Sequence, residues 1–259
     1  MASCDCPEGD SLFNIKDYQK AIVYYERCKF YCGGNLNHTG KFNLYQSYKL
    51  NHNYYDAAET INELLNDLQL SNDSTFKYLL LEKFMMFYFA KDLTSLKFEI
   101  THYLNYGSND HLFQKRLYWF LIAIHLDSLQ FDSAKFYLQK FLNLSKIEPS
   151  NEIYKDANKI LHKMQKINNI SPLIMGFGPL AQLRLGYLGK SIISGLLYTG
   201  TLGFTIYNFI YLKTFITGFT IGGNIGYLVV NGSTRHSAYL KEKKIYSLKY
   251  KLLKILIEN

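Results

Sequence analysis

Proline is missing between Pro7 and Pro149, so nothing in that span forces a break in the hydrogen bonding of a helix. Acidic residues are missing from Ala157 to Lys241, which no ordinary solvated surface would leave bare. Neither a HExxH nor a GxSxG pattern occurs, which removes the usual signatures of a helical zinc protease and of a nucleophile elbow. LGYLGKS at 185–191 imitates a phosphate loop, but Arg184 stands where the first glycine is required and no strand pattern precedes it. Nucleotide binding is therefore not expected. Glu59 and Glu63 read as a solvated helix face, His102, His111 and His125 as helix-surface or interface residues, and Trp119 as core. No catalytic constellation emerges; the expectation is a protein that is not an enzyme and carries no cofactor or metal.

What is present divides the chain in two. Residues 1–156 hold 19 acids and 16 bases, and residues 157–259 hold 2 acids and 13 bases. The basic half also holds the longest charge-free stretches, 22 residues between Lys190 and Lys213 and 21 between Lys213 and Arg235. A helix of about 22 residues covers roughly 33 Å, against about 30 Å of hydrocarbon in a bilayer. The pair predicts a transmembrane helical hairpin over 191–233. Gly195, Thr199 and Gly203, then Gly218, Gly222 and Gly226, recur at a spacing of four and predict small-residue packing faces on the two helices. A homo-oligomer through those faces is one expected use of them.

Beyond the hairpin, Ile245, Leu248, Leu252, Ile255 and Leu256 recur at helical spacing among lysines. A basic amphipathic helix over 234–259, lying on an anionic leaflet, is the expectation. Aromatic stacking platforms of the RNA-binding kind are sparse, so membrane lipid rather than nucleic acid is the expected partner.

The first half is periodic. KDYQKAI at 16–22, NYYDAAE at 53–59, KDLTSLK at 91–97 and QFDSAKF at 130–136 pair an aromatic or leucine with a small or apolar residue three later. The pairs are Tyr18 and Ala21, Tyr55 and Ala58, Leu93 and Leu96, and Phe131 and Ala134, with first members 37 to 38 residues apart. Such a period predicts an all-α array of helical hairpins over 1–166. Residues 9–27, GDSLFNIKDYQKAIVYYER, resemble a tetratricopeptide repeat, and 44–66 resemble a second, degenerate one. The resemblance implies a right-handed solenoid whose concave face binds a protein or peptide.

SPLIMGFGPLAQLRLGYLGK at 171–190 is similar to the approach to a small two-helix membrane domain of the TM2-like type. Gly178, Pro179, Ala181, Gln182 and Gly186 fall on that family's motif, while Arg184 stands where Tyr is usual; GGNIGY at 222–227 is similar to part of its second helix. Residues 167–190 are then the linker leading into the membrane. Repeats followed by such a hairpin resemble envelope proteins of Bacteroidetes-type bacteria.

All four cysteines, Cys4, Cys6, Cys28 and Cys32, lie within the first 32 residues. Three readings stay open at this point: two disulfides, a four-cysteine zinc site, and free thiols. Placement is open too. Residues 1–20 contain no signal-peptide hydrophobic region, which puts the repeats in the cytosol, whereas disulfides and a removed leader would put them in the periplasm. The combined expectation is a membrane-anchored scaffold for protein interactions at a bacterial inner membrane; the rival is a component of a transport or pore complex.

Overall fold

In a computed structural model of the chain, residues 4–68, 74–106, 110–210 and 222–258 are described, and among them every regular element is a helix. Two compact units divide the chain, Met1–Leu117 and Tyr118–Asn259, so the repeat domain expected over 1–166 is split between them.

The first unit contains α1 (Pro7–Asn14), α2 (Tyr18–Tyr31), α3 (His38–Leu50), α4 (Tyr54–Asp67), α5 (Ser74–Phe89) and α6 (Leu93–Tyr106), and α7 (His111–Asp127) starts in it. Its hairpins turn on one repeated device. Lys16, His52 and Lys91 are left-handed, at φ 65, 62 and 63°. Leu129, which introduces α8 (Phe131–Leu144) in the second unit, is left-handed at 55°. Each donates its N–H three residues back, and the next residue donates five back: Lys16 to Phe13 at 2.9 Å and Asp17 to Leu12 at 3.0 Å, with the same pattern at His52/Asn53, Lys91/Asp92 and Leu129/Gln130. This bond pair closes a helix whose last carbonyls would otherwise be unsatisfied. The residue after the left-handed one then caps the following helix; Asp17 and Asp92 do so through their side chains.

Its carbonyl accepts from Ala21, Ala57, Leu96 and Ala134, all at 0% exposure. Small or compact apolar residues there let one helix sit close against its predecessor. Counted from the turn, the pair of the second repeat is Tyr54 and Ala57, one residue before Tyr55 and Ala58. Tyr55 is exposed, while Ala58 is buried as well.

Ion pairs stitch these hairpins together two helices apart. Lys29 on α2 meets Glu63 on α4 at 2.6 Å, Lys49 on α3 meets Glu82 on α5 at 2.6 Å, and Lys77 on α5 meets Asp110, the residue before α7, at 2.8 Å.

The second unit gathers the rest of α7, α8, α9 (Glu152–Asn168), α10 (Pro172–Gly176), α11 (Gly178–Arg184), α12 (Leu188–Ile210) and α13 (Gly223–Ile257). Its core joins Leu138, Phe141, Leu161 and Met164 to Leu252 and Leu256 of α13. The basic amphipathic helix expected over 234–259 therefore spends its apolar face on protein. It is also continuous with the hairpin, because α13 starts at Gly223 and runs unbroken for 35 residues.

No helix among the described residues is long and apolar enough to cross a membrane. The transmembrane hairpin expected over 191–233 is thus not found among them, and residues 211–221 of that expectation lie outside them. In α12 the reason is composition: Tyr198, Thr199, Thr201, Thr205, Tyr207 and Asn208 dilute its leucines and isoleucines.

Candidate functional site

Two places concentrate unusual chemistry: the cystine end of the first unit, and the foot of the α12–α13 pair in the second.

At the cystine end, Cys4 pairs with Cys32 and Cys6 with Cys28. The bonds are nested, so the short segment before α1 is clamped to the end of α2. Backbone pairing extends the clamp: Cys4 N–H donates to Asn35 O at 3.3 Å and Asn37 N–H to Cys4 O at 3.1 Å. Cys6 is buried with Ala21, Tyr25, Leu36 and Leu44. Gly9 lies against the Tyr25 ring, where a Cβ would approach Cε1 to 2.7 Å. Tyr25 donates to Asp10 at 2.5 Å, and burial before that bond pushes its hydroxyl above the ordinary phenol range. None of the cysteines is a free thiol.

At the foot of the pair, α10 and α11 wedge beneath two helices. Gln182, at 0% exposure, is the hub. Its amide donates to Ser233 at 3.5 Å and Ser237 at 3.4 Å, and its oxygen accepts from Ser194 at 3.0 Å. Ser237 and Thr234 donate to the carbonyls of Gly178 and Gly176, and Ser191 donates to that of Pro179. Gly176 is the last residue of α10, so its carbonyl finds on α13 a partner its own helix cannot supply, whereas the carbonyls of Gly178 and Pro179, the first two residues of α11, tie that helix to α13 and α12. Gly178 is required by closeness, since a Cβ there would overlap the Ser233 side chain. Gly186, left-handed at φ 82°, repeats the turn of the first unit: Tyr187 N–H donates to Gln182 O at 2.8 Å, and Ser191 N–H to Tyr187 O at 2.9 Å.

The predicted small-residue faces fare unequally. A Cβ on Gly222 would come within 2.5 Å of Thr205 Oγ1, and one on Gly226 within 3.7 Å of Thr201 Cγ2, so both pack on α12. Gly195 and Gly203 would meet nothing within 4 Å, and Thr199 is exposed; that face of α12 packs on nothing described. Gly218 lies outside the described residues. Sequence spacing missed Thr201 and Thr205. They too are four apart, but two residues out of step with the glycines, hence about 200° around the helix.

Above the foot, apolar side chains face outward. Leu196, Leu197, Leu202, Ile206, Tyr227 and Leu228 are each more than half exposed.

The same unit holds a cleft of about 690 Å³ between α7, α10 and α13, with Leu126, Ile170 and Met175 among its apolar walls and Lys241 and Glu242 at its edge. Among the described residues, no group of three or more His, Cys, Asp or Glu is placed to hold a metal ion. No protein-family model, curated protein or solved structure matches the chain.

Proposed function

We propose that the chain is a membrane-anchored scaffold, a helical-repeat module that binds a protein or peptide and is held at a bilayer by the α12–α13 pair. The setting we propose, on the resemblance to envelope proteins, is a bacterial inner membrane. The observation that carries the anchor is the outward-facing apolar surface of the pair, set in a sequence with one charge between Lys190 and Arg235. Water penalises such a surface at roughly 25 cal/mol per Å², whereas lipid tails do not. The buried polar foot suits the same reading, because it holds the two helices together by hydrogen bonds where the hydrophobic effect no longer would. The repeated turns and the ladder of ion pairs between hairpins support a stacked array, the kind of surface on which solenoids bind partners.

Two disulfides favour an oxidising compartment for the first unit. On that ground we propose that the repeats face the periplasm.

Fractionation tests the anchor. The full chain should stay in the membrane pellet through alkaline carbonate and leave it only with detergent. Recovery of the full chain as a monomer without detergent would overturn the proposal.

A further inference from the structure

The foot of the hairpin is also where cations converge. Tyr187, in the turn between α11 and α12, has the Lys190 ammonium 5.6 Å and the Lys244 ammonium 5.3 Å from its ring centroid. Lys190 lies 3.4 Å from His236 Nε2, Arg184 closes α11, and Arg235 precedes His236 on α13. None of the ion pairs among the described residues includes Arg184, Lys190, Arg235 or Lys244. Sequence explains this, since the nearest acids along the chain are Asp156 and Glu242. Burial first, and then the neighbouring Lys163 charge, hold the Lys244 amine below its usual pKa. Lys244 also donates to the Leu185 carbonyl, which fixes it at the turn.

Around these cations the surface is apolar. Leu180, Leu183, Leu188 and Ile192 are about half exposed or more. Cations outside any ion pair, an aromatic ring close to two ammonium groups, and exposed leucines on the same elements together match a lipid headgroup layer. An acidic protein or a nucleic acid would use the charges and leave the leucines in water.

We propose that this foot binds the phosphate of anionic phospholipids, with Arg184 and Lys190 as the exposed contacts, Lys244 and Tyr187 behind them, and Leu180, Leu183 and Leu188 in the upper acyl region. The proposal rests on the membrane-anchor reading and adds a lipid class to it. It also gives the leaflet contact to the foot, since the apolar face of the C-terminal helix is occupied.

Flotation of the detergent-solubilised full chain, after detergent removal, with two kinds of vesicle tests it: phosphatidylcholine alone, and phosphatidylcholine with phosphatidylglycerol. Wild type should prefer the anionic vesicles. Arg184→Gln with Lys190→Gln should lower partitioning into them by about 25-fold, about fivefold for each cation, and leave partitioning into the neutral vesicles unchanged. Both side chains are exposed, and Arg184→Gln alone should give the single-cation loss. A wild type without preference, or a double variant that keeps it, overturns the headgroup site and leaves the anchor standing. A wild type that floats with neither vesicle overturns both.

Discussion

Trp119 and Leu253 are joined across 134 residues of sequence, with the indole Nε1 donating to the Leu253 carbonyl at 3.3 Å. This bond docks the last turns of α13 on α7, and Leu252 and Leu256 enter the core beside it. Leu252→Ala should cost about 2–5 kcal/mol, the usual range for a buried leucine. Trp119 is the one tryptophan of the chain, so its fluorescence reports this docking directly. The variant should show a red-shifted emission and a lower melting temperature for the second unit.

Tyr45 sits at the centre of a polar contact between α3 and α5. It donates to Glu82 at 2.5 Å, and Lys49 reaches the same carboxylate at 2.6 Å. Burial, then the Glu82 carboxylate, raises the Tyr45 hydroxyl above its ordinary value of 10.0. A group whose pKa is raised on folding contributes stability below its unfolded pKa and loses it above. Unfolding free energy should therefore be flat in the neutral range and fall as pH rises past about 10. Tyr45→Phe should make that fall shallower in alkaline melts, and an unchanged slope would show that other tyrosines dominate.

The left-handed turn residues carry strain that glycine would not. Lys16 is exposed and held at φ 65°. Lys16→Gly should leave the helices intact and raise stability by up to about 1 kcal/mol, the cost of the left-handed region less the added freedom of the unfolded chain. Lys16→Val should lower it. Paired chemical denaturation curves of the two variants check the sign.

Gln182→Leu should destabilise the foot by about 1–3 kcal/mol, because Ser194 loses its acceptor and two further serines lose a donor inside a buried site. Hydrogen exchange should speed up in residues 178–194 while α2–α4 keep their protection.

These residues also mark how far the sequence could be read. The hairpin array was legible because its turns are local: a left-handed residue, a cap and a small residue four after the cap all lie within a few positions. The second register came out one residue late because Ala57 and Ala58 are adjacent and both buried. Gln182 was visible as a motif position, but its serine partners lie up to 55 residues away, and no spacing rule pairs them. The lysine-rich helix shows the same limit. Its apolar stripe is plain in the sequence, yet a stripe names no partner, and α7–α9 cover it where a lipid surface was expected. Gly195 and Gly203 of α12 meet no described neighbour, since contact is decided by which face the partner helix occupies.

The continuity of α13 has a mechanical consequence. At 1.5 Å per residue its 35 residues make a rod of about 52 Å. One end carries the outward apolar surface, and the other is bolted into the core by Leu252, Leu256 and the Trp119 bond. The rod has no proline along its length to absorb bending. Tilting of the apolar end would act on that core as a lever, with the Gln182 foot as its fulcrum.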